Sequence, residues 1–152
     1  MPRMPRMKER NWNWAVVDTV STAERSRVMR LVKSRDTVPE MVVRKVLHAA
    51  GFRFRLHAKN LPGHPDIVLR RYKTVVLIHG CFWHWHGCRR SRMPSSNTAY
   101  WTKKIEGNVE RDKRNTDALR LAGWDVEIMW ECELKQASET LVQTLLTKRL
   151  PR

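Results

Sequence analysis

Apolar and polar positions along the chain change period several times, and each change marks an element. Ser21-Thr22-Ala23-Glu24 fits a capping box, in which a hydroxyl and a carboxylate bond reciprocally to the first helical turn. Helix is predicted from there to about Lys33, with Arg25, Arg27 and Arg30 outward and Val28, Met29, Leu31 and Val32 available for burial or contact. A second box, Thr37-Val38-Pro39-Glu40, opens a helix that runs through Val43, Val46 and Leu47 and stops at Gly51. The period then drops to two, and Phe52-Arg53-Phe54-Arg55-Leu56 reads as a half-buried strand. A turn at Leu61 to Pro65 leads into a strand from Asp66 to Leu69, a reversal at Arg70 to Lys73, and a buried strand from Thr74 to His79. Beyond a polar loop, Arg89 to Asn97, helical spacing returns from Thr98 to Leu121, with a break expected near Gly107. Trp124 to Trp130 is a strand with both tryptophans expected in the core, and Ala137 to Lys148 is the last helix, apolar along Leu141, Val142, Leu145 and Leu146. Met1 to Val20 shows no periodicity and reads as a mobile basic arm, with Trp12 and Trp14 expected to dock it. The pattern predicts an arm over 1–20 and one α/β domain over 21–152, built on a small mixed central sheet flanked by helices.

Charge narrows the partners. Among 152 residues, Lys and Arg number 30 against 15 acidic side chains, for a net charge of +15. Only +3 of this belongs to the first ten residues, so the basic field is a property of the folded body. Such a field favours a polyanion, nucleic acid ahead of an anionic membrane surface or a ribosomal location. With no run able to span a bilayer and no apolar signal core, the expected location is the cytoplasm, with the protein acting at the nucleoid. The absence of an obvious apolar dimer face points to a monomer.

The densest chemistry lies between Ile78 and Cys88, where two thiols, three imidazoles and three aromatic rings follow a buried strand. Cys81, Cys88 and Cys132 are an odd number for a disulfide framework. With one histidine they make a closed tetrahedral set suited to structural Zn²⁺, pinning the loop against the strand that carries Cys132. His84 and His86 fall on the same side of an extended chain, and spacing alone does not choose between them. Asp66, following Pro65 at the head of an apolar strand, has the layout of a Mg²⁺-dependent nuclease, where a carboxylate holds the cation and the cation clamps phosphate. Restriction-type nucleases usually place an acid and a lysine on the second strand; here that place reads Leu77-Ile78-His79.

Taken together, these words resemble the very short patch repair (Vsr) endonuclease family. The likeness is carried by Leu61-Pro62-Gly63-His64-Pro65-Asp66-Ile67-Val68, His79-Gly80-Cys81-Phe82-Trp83-His84, Gly107-Asn108-Val109-Glu110-Arg111-Asp112 and Trp130-Glu131-Cys132, with Arg35-Asp36-Thr37 and Glu40 also fitting. It implies a restriction-endonuclease-like fold that nicks one strand of double-stranded DNA 5′ of the T in a T·G mismatch left by deaminated 5-methylcytosine. By this likeness Asp66 ligates Mg²⁺ together with the backbone carbonyl of Ile78, a position where the family often has Thr. His84 is then the general base, while His79 and Glu40 hold metal-bound water or phosphate; Glu40 also stands at a capping-box position. The zinc ligands become Cys81, His86, Cys88 and Cys132.

The resemblance also implies that Phe82, Trp83 and Trp101 enter the major groove beside the mismatch while Met29 reaches across from the other groove. A flat ring wedges most readily at a weakened step such as a wobble pair. Lys104 and Arg111 are expected at phosphates, and Asn108 at a base edge. The likeness allows contact with general mismatch-repair proteins. A zinc-stabilised DNA-binding module without catalysis, and a restriction-type enzyme cutting both strands, are the competing functions.

Overall fold

The computed structural model describes residues 21–33 and 35–149. The expected basic arm, with Trp12 and Trp14, lies outside the described residues. Both capping boxes form. Ser21 and Glu24 exchange hydrogen bonds at the start of α1 (Thr22–Leu31), and Thr37 and Glu40 do so at the start of α2 (Val38–Ala49). Four strands follow in the order β1 (Arg55–Leu56), β2 (Ile67–Leu69), β3 (Thr74–His79) and β4 (Asp125–Trp130), with α3 (Thr98–Leu121) before β4 and α4 (Leu134–Arg149) after it.

The sheet keeps chain order, β1-β2-β3-β4. The first two pairings are antiparallel, while β3 and β4 run parallel, joined by the long excursion that contains α3. Helices cover both faces, which is why β2 and β3 read as nearly unbroken apolar runs. Ile67, Leu69 and Val76 pack with Val43 and Leu47 of α2 and Leu141 and Leu145 of α4. Val68, Val75 and Leu77 face the other way, onto Leu119 of α3 with Leu61 and Trp124. The expected α/β domain with a small mixed sheet is what the described residues form.

Three boundaries differ from expectation. The strand read from Phe52 shrinks to Arg55–Leu56, because the Phe52 N–H closes the end of α2 on the Leu47 carbonyl at 3.0 Å, with Gly51 left-handed at φ +80°. No break occurs at Gly107: α3 runs through it, held on either side by buried Ile105 and Asn108. The last helix begins at Leu134, since the chain turns directly out of β4 through Glu133 N–H to Trp130 carbonyl, 2.9 Å. Trp124 and Trp130 are only half-buried. The Lys73 ammonium lies over the first ring, 4.7 Å from its centroid, and histidines flank the second. No residue of α1 is buried, and Val28, Leu31 and Val32 stay exposed.

Two substitutions test this packing by urea denaturation. Leu47→Ala, at a fully buried position between α2 and the sheet, should cost about 2–5 kcal/mol. Gly107→Ala, where an added methyl meets nothing within 4 Å, should stabilise α3 by roughly 0.5–1 kcal/mol.

Candidate active site and metal centre

The end of β3 gathers the polar chemistry. Asp66 precedes β2, and antiparallel pairing carries it back beside the last residues of β3, where its Oδ2 accepts the Ile78 N–H at 2.7 Å. Burial pushes the Asp66 carboxyl above its ordinary range; the Ile78 bond opposes this, and the Glu40 charge adds to it. A strand residue presents its N–H and C=O to the same side, so the Ile78 carbonyl opens toward the same edge as this carboxylate.

One residue further, His79 faces α3. It is buried and stacks flat on His84, with ring centroids 3.9 Å apart and planes within 6°. Burial pulls the His79 pKa down to about 4, helped by the neighbouring His84. His84 in turn is hydrogen-bonded through Nδ1 to Asp112 Oδ2 of α3 at 2.5 Å. Burial works to raise the Asp112 carboxyl, but the His84 hydrogen bond and the nearby imidazoles outweigh it and leave it below its ordinary value. Asp112 was not singled out in the sequence. The signal available was its spacing of four from Asn108, which puts both on the face of α3 toward the loop.

Glu40 is 3% exposed, and its oxygens are engaged. Oε1 accepts from the Thr37 hydroxyl at 3.0 Å, and Oε2 takes Arg44 Nη2 at 2.6 Å and the Asp36 N–H at 3.2 Å. Arg44 spends its other nitrogen on Asp36, at 2.5 Å. Between Glu40 and Asp66 stands His57, unremarked in the sequence, with Nε2 3.5 Å from Glu40 and Nδ1 4.0 Å from Asp66. Glu40 is thus committed as a helix cap and ion-pair partner, with His57 standing between it and Asp66.

The loop after β3 divides its two histidines. His84 turns to Asp112, whereas the Nδ1 of His86 lies 3.2 Å from Cys132 Sγ and 3.8 Å from Cys81 Sγ. Cys81, His86, Cys88 and Cys132 bring one donor atom each within 4.8 Å of all the others. Positive φ at Trp85 (52°) and Gly87 (84°) lets so short a segment reverse twice. Trp130 stacks on the His86 ring at 4.3 Å and closes that side. Burial pushes the Cys81 thiol up to about 12. At Cys88 burial is outweighed by the Arg90 N–H and by neighbouring donors, which bring it down to about 6. Ionising all three thiols together needs a cation among them. Three soft sulfurs and an imidazole at these separations fit a tetrahedral metal.

Beside the site, three aromatic rings form a cluster. Phe82 meets Trp83 at 5.0 Å and Trp101 at 5.4 Å, both edge to face. Phe82 and Trp83 are half-exposed, but Trp101 is 5% exposed and backs them from within the fold. Asn108, expected at a base edge, is also buried. Its Nδ2 donates to the Trp83 carbonyl at 3.0 Å and its Oδ1 accepts from Arg111 at 2.9 Å, so both polar ends are taken inside the protein. Lys104 and Arg111 lie exposed on α3, and Met29 is partly exposed on α1.

Comparison with known proteins agrees with this chemistry. The family model described as DNA mismatch endonuclease Vsr matches residues 17–90. The type II nicking enzyme V.XorIIP of Xanthomonas oryzae pv. oryzae is 49% identical over 119 residues, covering 78% of this chain and 88% of its own. The type II nicking enzyme V.NmeAIP of Neisseria meningitidis is 49% identical over 120 residues, 79% of this chain and 86% of its own. The DNA mismatch endonuclease Vsr of Escherichia coli is 42% identical over 135 residues, 89% of this chain and 86% of its own. With that likeness running through the β3 end, the metal-donor loop and α3, this chain belongs to the Vsr family of DNA mismatch endonucleases.

Proposed function

We propose that this DNA endonuclease nicks one strand of a duplex on the 5′ side of the T in a T·G mismatch, using Mg²⁺, and works as a monomer on a restriction-endonuclease-like fold. Relatives named as a mismatch endonuclease and as nicking enzymes support the reading, as does the +15 charge of the chain. The observation that carries it is the Asp66 carboxylate, fastened to the Ile78 N–H beside the Ile78 carbonyl at the end of β3.

Asp66 and the Ile78 carbonyl would hold Mg²⁺, an all-oxygen pair suited to a hard cation. Bound there, the cation supplies Lewis-acid stabilisation of the phosphate and of the leaving oxygen. The chain's own residues handle the proton. With Nδ1–H donated to Asp112, His84 in its neutral form keeps Nε2 as the acceptor for a proton from the attacking water. Asp112 then stabilises the imidazolium that results, as a buried carboxylate does in other base–carboxylate pairs. His79, with its pKa near 4, stays neutral at pH 7 and puts no second positive charge against that ring. Glu40 keeps the start of α2 in place from the far side of His57.

Zn²⁺ is the cation we assign to Cys81, His86, Cys88 and Cys132; held there it would pin the loop carrying Phe82, Trp83 and His84 to the end of β4. That loop presents Phe82 and Trp83 as the wedge, with Trp101 as its backing and the Asn108 bond to the Trp83 carbonyl fixing its base. A T·G wobble opens at less cost than a matched pair, so wedging contributes selectivity. Lys104 and Arg111 are placed for phosphates, which set register without reading sequence. Met29 on α1 approaches from the other groove.

A nicking assay on two labelled duplexes, alike except for one central T·G pair, tests the reading. The expected product is a Mg²⁺-dependent nick confined to the T strand of the mismatched duplex; cutting of both strands of the matched duplex would overturn it. Asp66→Ala should abolish nicking and leave mismatch binding intact by gel shift. Asp112→Asn should lower kcat by roughly 10²–10⁴-fold while mismatch affinity holds, the range of a lost general-base contribution. Metal analysis of the purified chain should find zinc, and Cys132→Ala should release it and lower the melting temperature.

A further inference from the structure

The Asp66 carboxylate has two oxygens, and the bond to Ile78 accounts for Oδ2 alone. Oδ1 faces the His57 ring, whose Nδ1 is 4.0 Å away. Main-chain geometry puts His57 there. It follows β1, its N–H donates to the Asp66 carbonyl at 3.3 Å, and its φ of +46° is in the left-handed region. A residue with a β-carbon adopts that region rarely, and such backbone persists where the surroundings enforce it, often at working sites.

The far nitrogen of the ring is engaged. Arg44 Nη2 lies 3.1 Å from His57 Nε2 while also donating to Glu40 Oε2 at 2.6 Å. A guanidinium offers only donors, so in the neutral form of the ring Nε2 accepts and the single proton rests on Nδ1. Arg44 is 8% exposed and anchored at its other nitrogen by Asp36, so the donor that sets this tautomer is itself held fast.

We propose that His57 is a positioning residue of the active site: Arg44 holds it as the Nδ1–H tautomer, and that N–H orients Oδ1 of Asp66 for the divalent cation. The inference rests on the reading of Asp66 as the Mg²⁺ ligand. It gives the Glu40–Arg44 pair a function beyond the helix cap, because the pair fixes the ring that fixes the carboxylate. At 4.0 Å the contact is longer than a hydrogen bond, and active-site hydrogen bonds commonly tighten when the ligand arrives.

The test separates the N–H from the backbone. His57→Asn and His57→Gly both tolerate a positive φ, but only the Asn amide restores a donor near the place of Nδ1. The probe is Mn²⁺ binding to the full chain without DNA, followed by electron paramagnetic resonance. Thermal unfolding and T·G duplex binding in chelator are measured alongside. His57→Gly should bind Mn²⁺ about 10-fold or more weakly, the usual size of a lost support to a metal ligand, while His57→Asn stays within about 3-fold of the parent. Both should melt and bind the mismatched duplex as the parent does. Parental Mn²⁺ affinity in His57→Gly, or equal weakness in the two variants, would overturn the proposal. Asp66→Ala is the control on the underlying reading: if it binds Mn²⁺ as tightly as the parent, the cation assignment falls and His57 with it. Weak binding by Asp66→Ala with parental binding by His57→Gly removes His57 alone.

Discussion

Parallel pairing of β3 with β4 is the constraint on which the rest of this molecule depends. It sets His79 opposite Trp130 and lets the Glu131 N–H reach the His79 carbonyl at 3.0 Å, one step past the sheet. The loop leaving β3 and the turn leaving β4 therefore emerge side by side. Cys132 meets Cys81, Cys88 and His86 for that reason and no local one. The same register forces the chain through a long crossover, and α3 in that crossover carries Asp112 to His84 and Asn108 to Trp83. One register thus serves the thiol cluster, the His84–Asp112 pair and the Phe82–Trp83–Trp101 rings.

Buried charge in this site is arranged in pairs, as the cost of isolated ions in a poor dielectric requires. Glu40 is paired with Arg44, which also reaches the exposed Asp36, and Asp112 is paired with His84. Asp66 is the exception, since its nearest partners are an amide N–H and a ring at longer range. A carboxylate raised by burial and left with spare lone pairs has the donor character of a hard-cation ligand, in contrast to Glu40, whose oxygens are already committed.

How much of this was legible in the sequence follows from the range of each interaction. Both capping boxes, β3 and the apolar stripe of α4 depend on neighbours within a few residues, and the periodicity found them. The strand read at Phe52 failed because its N–H was already committed to the preceding helix, a choice that hydropathy does not register. Gly107 failed as a breaker because flanking buried positions outweigh its own propensity. His57 and Asp112 had no signal in composition: one lies in a left-handed turn, the other pairs across 28 residues. Spacing alone also left His84 and His86 equivalent, and the fold separates them by sending one to α3 and one to the thiols. Trp101, expected at the groove from the family likeness, and Asn108, expected there from its amide, are both buried, one behind Phe82 and the other on the Trp83 carbonyl, a placement that residue type does not register.

Helix α1 leads to a kinetic consequence. Among the described residues, the ten residues of α1 bury no side chain in the core, and the Ser21–Glu24 cap closes its first turn. A helix so short opens and closes within about a microsecond, while the sheet stays folded over times many orders longer. Its amides should exchange with solvent hydrogen almost without protection, next to strands protected to the full depth of global unfolding. The apolar trio Val28, Leu31 and Val32 is left exposed at the end of that helix, where a covering surface would lengthen the time it stays wound. Dwell time on a partner, more than the affinity of any single contact, would set how much of that helix exists at once.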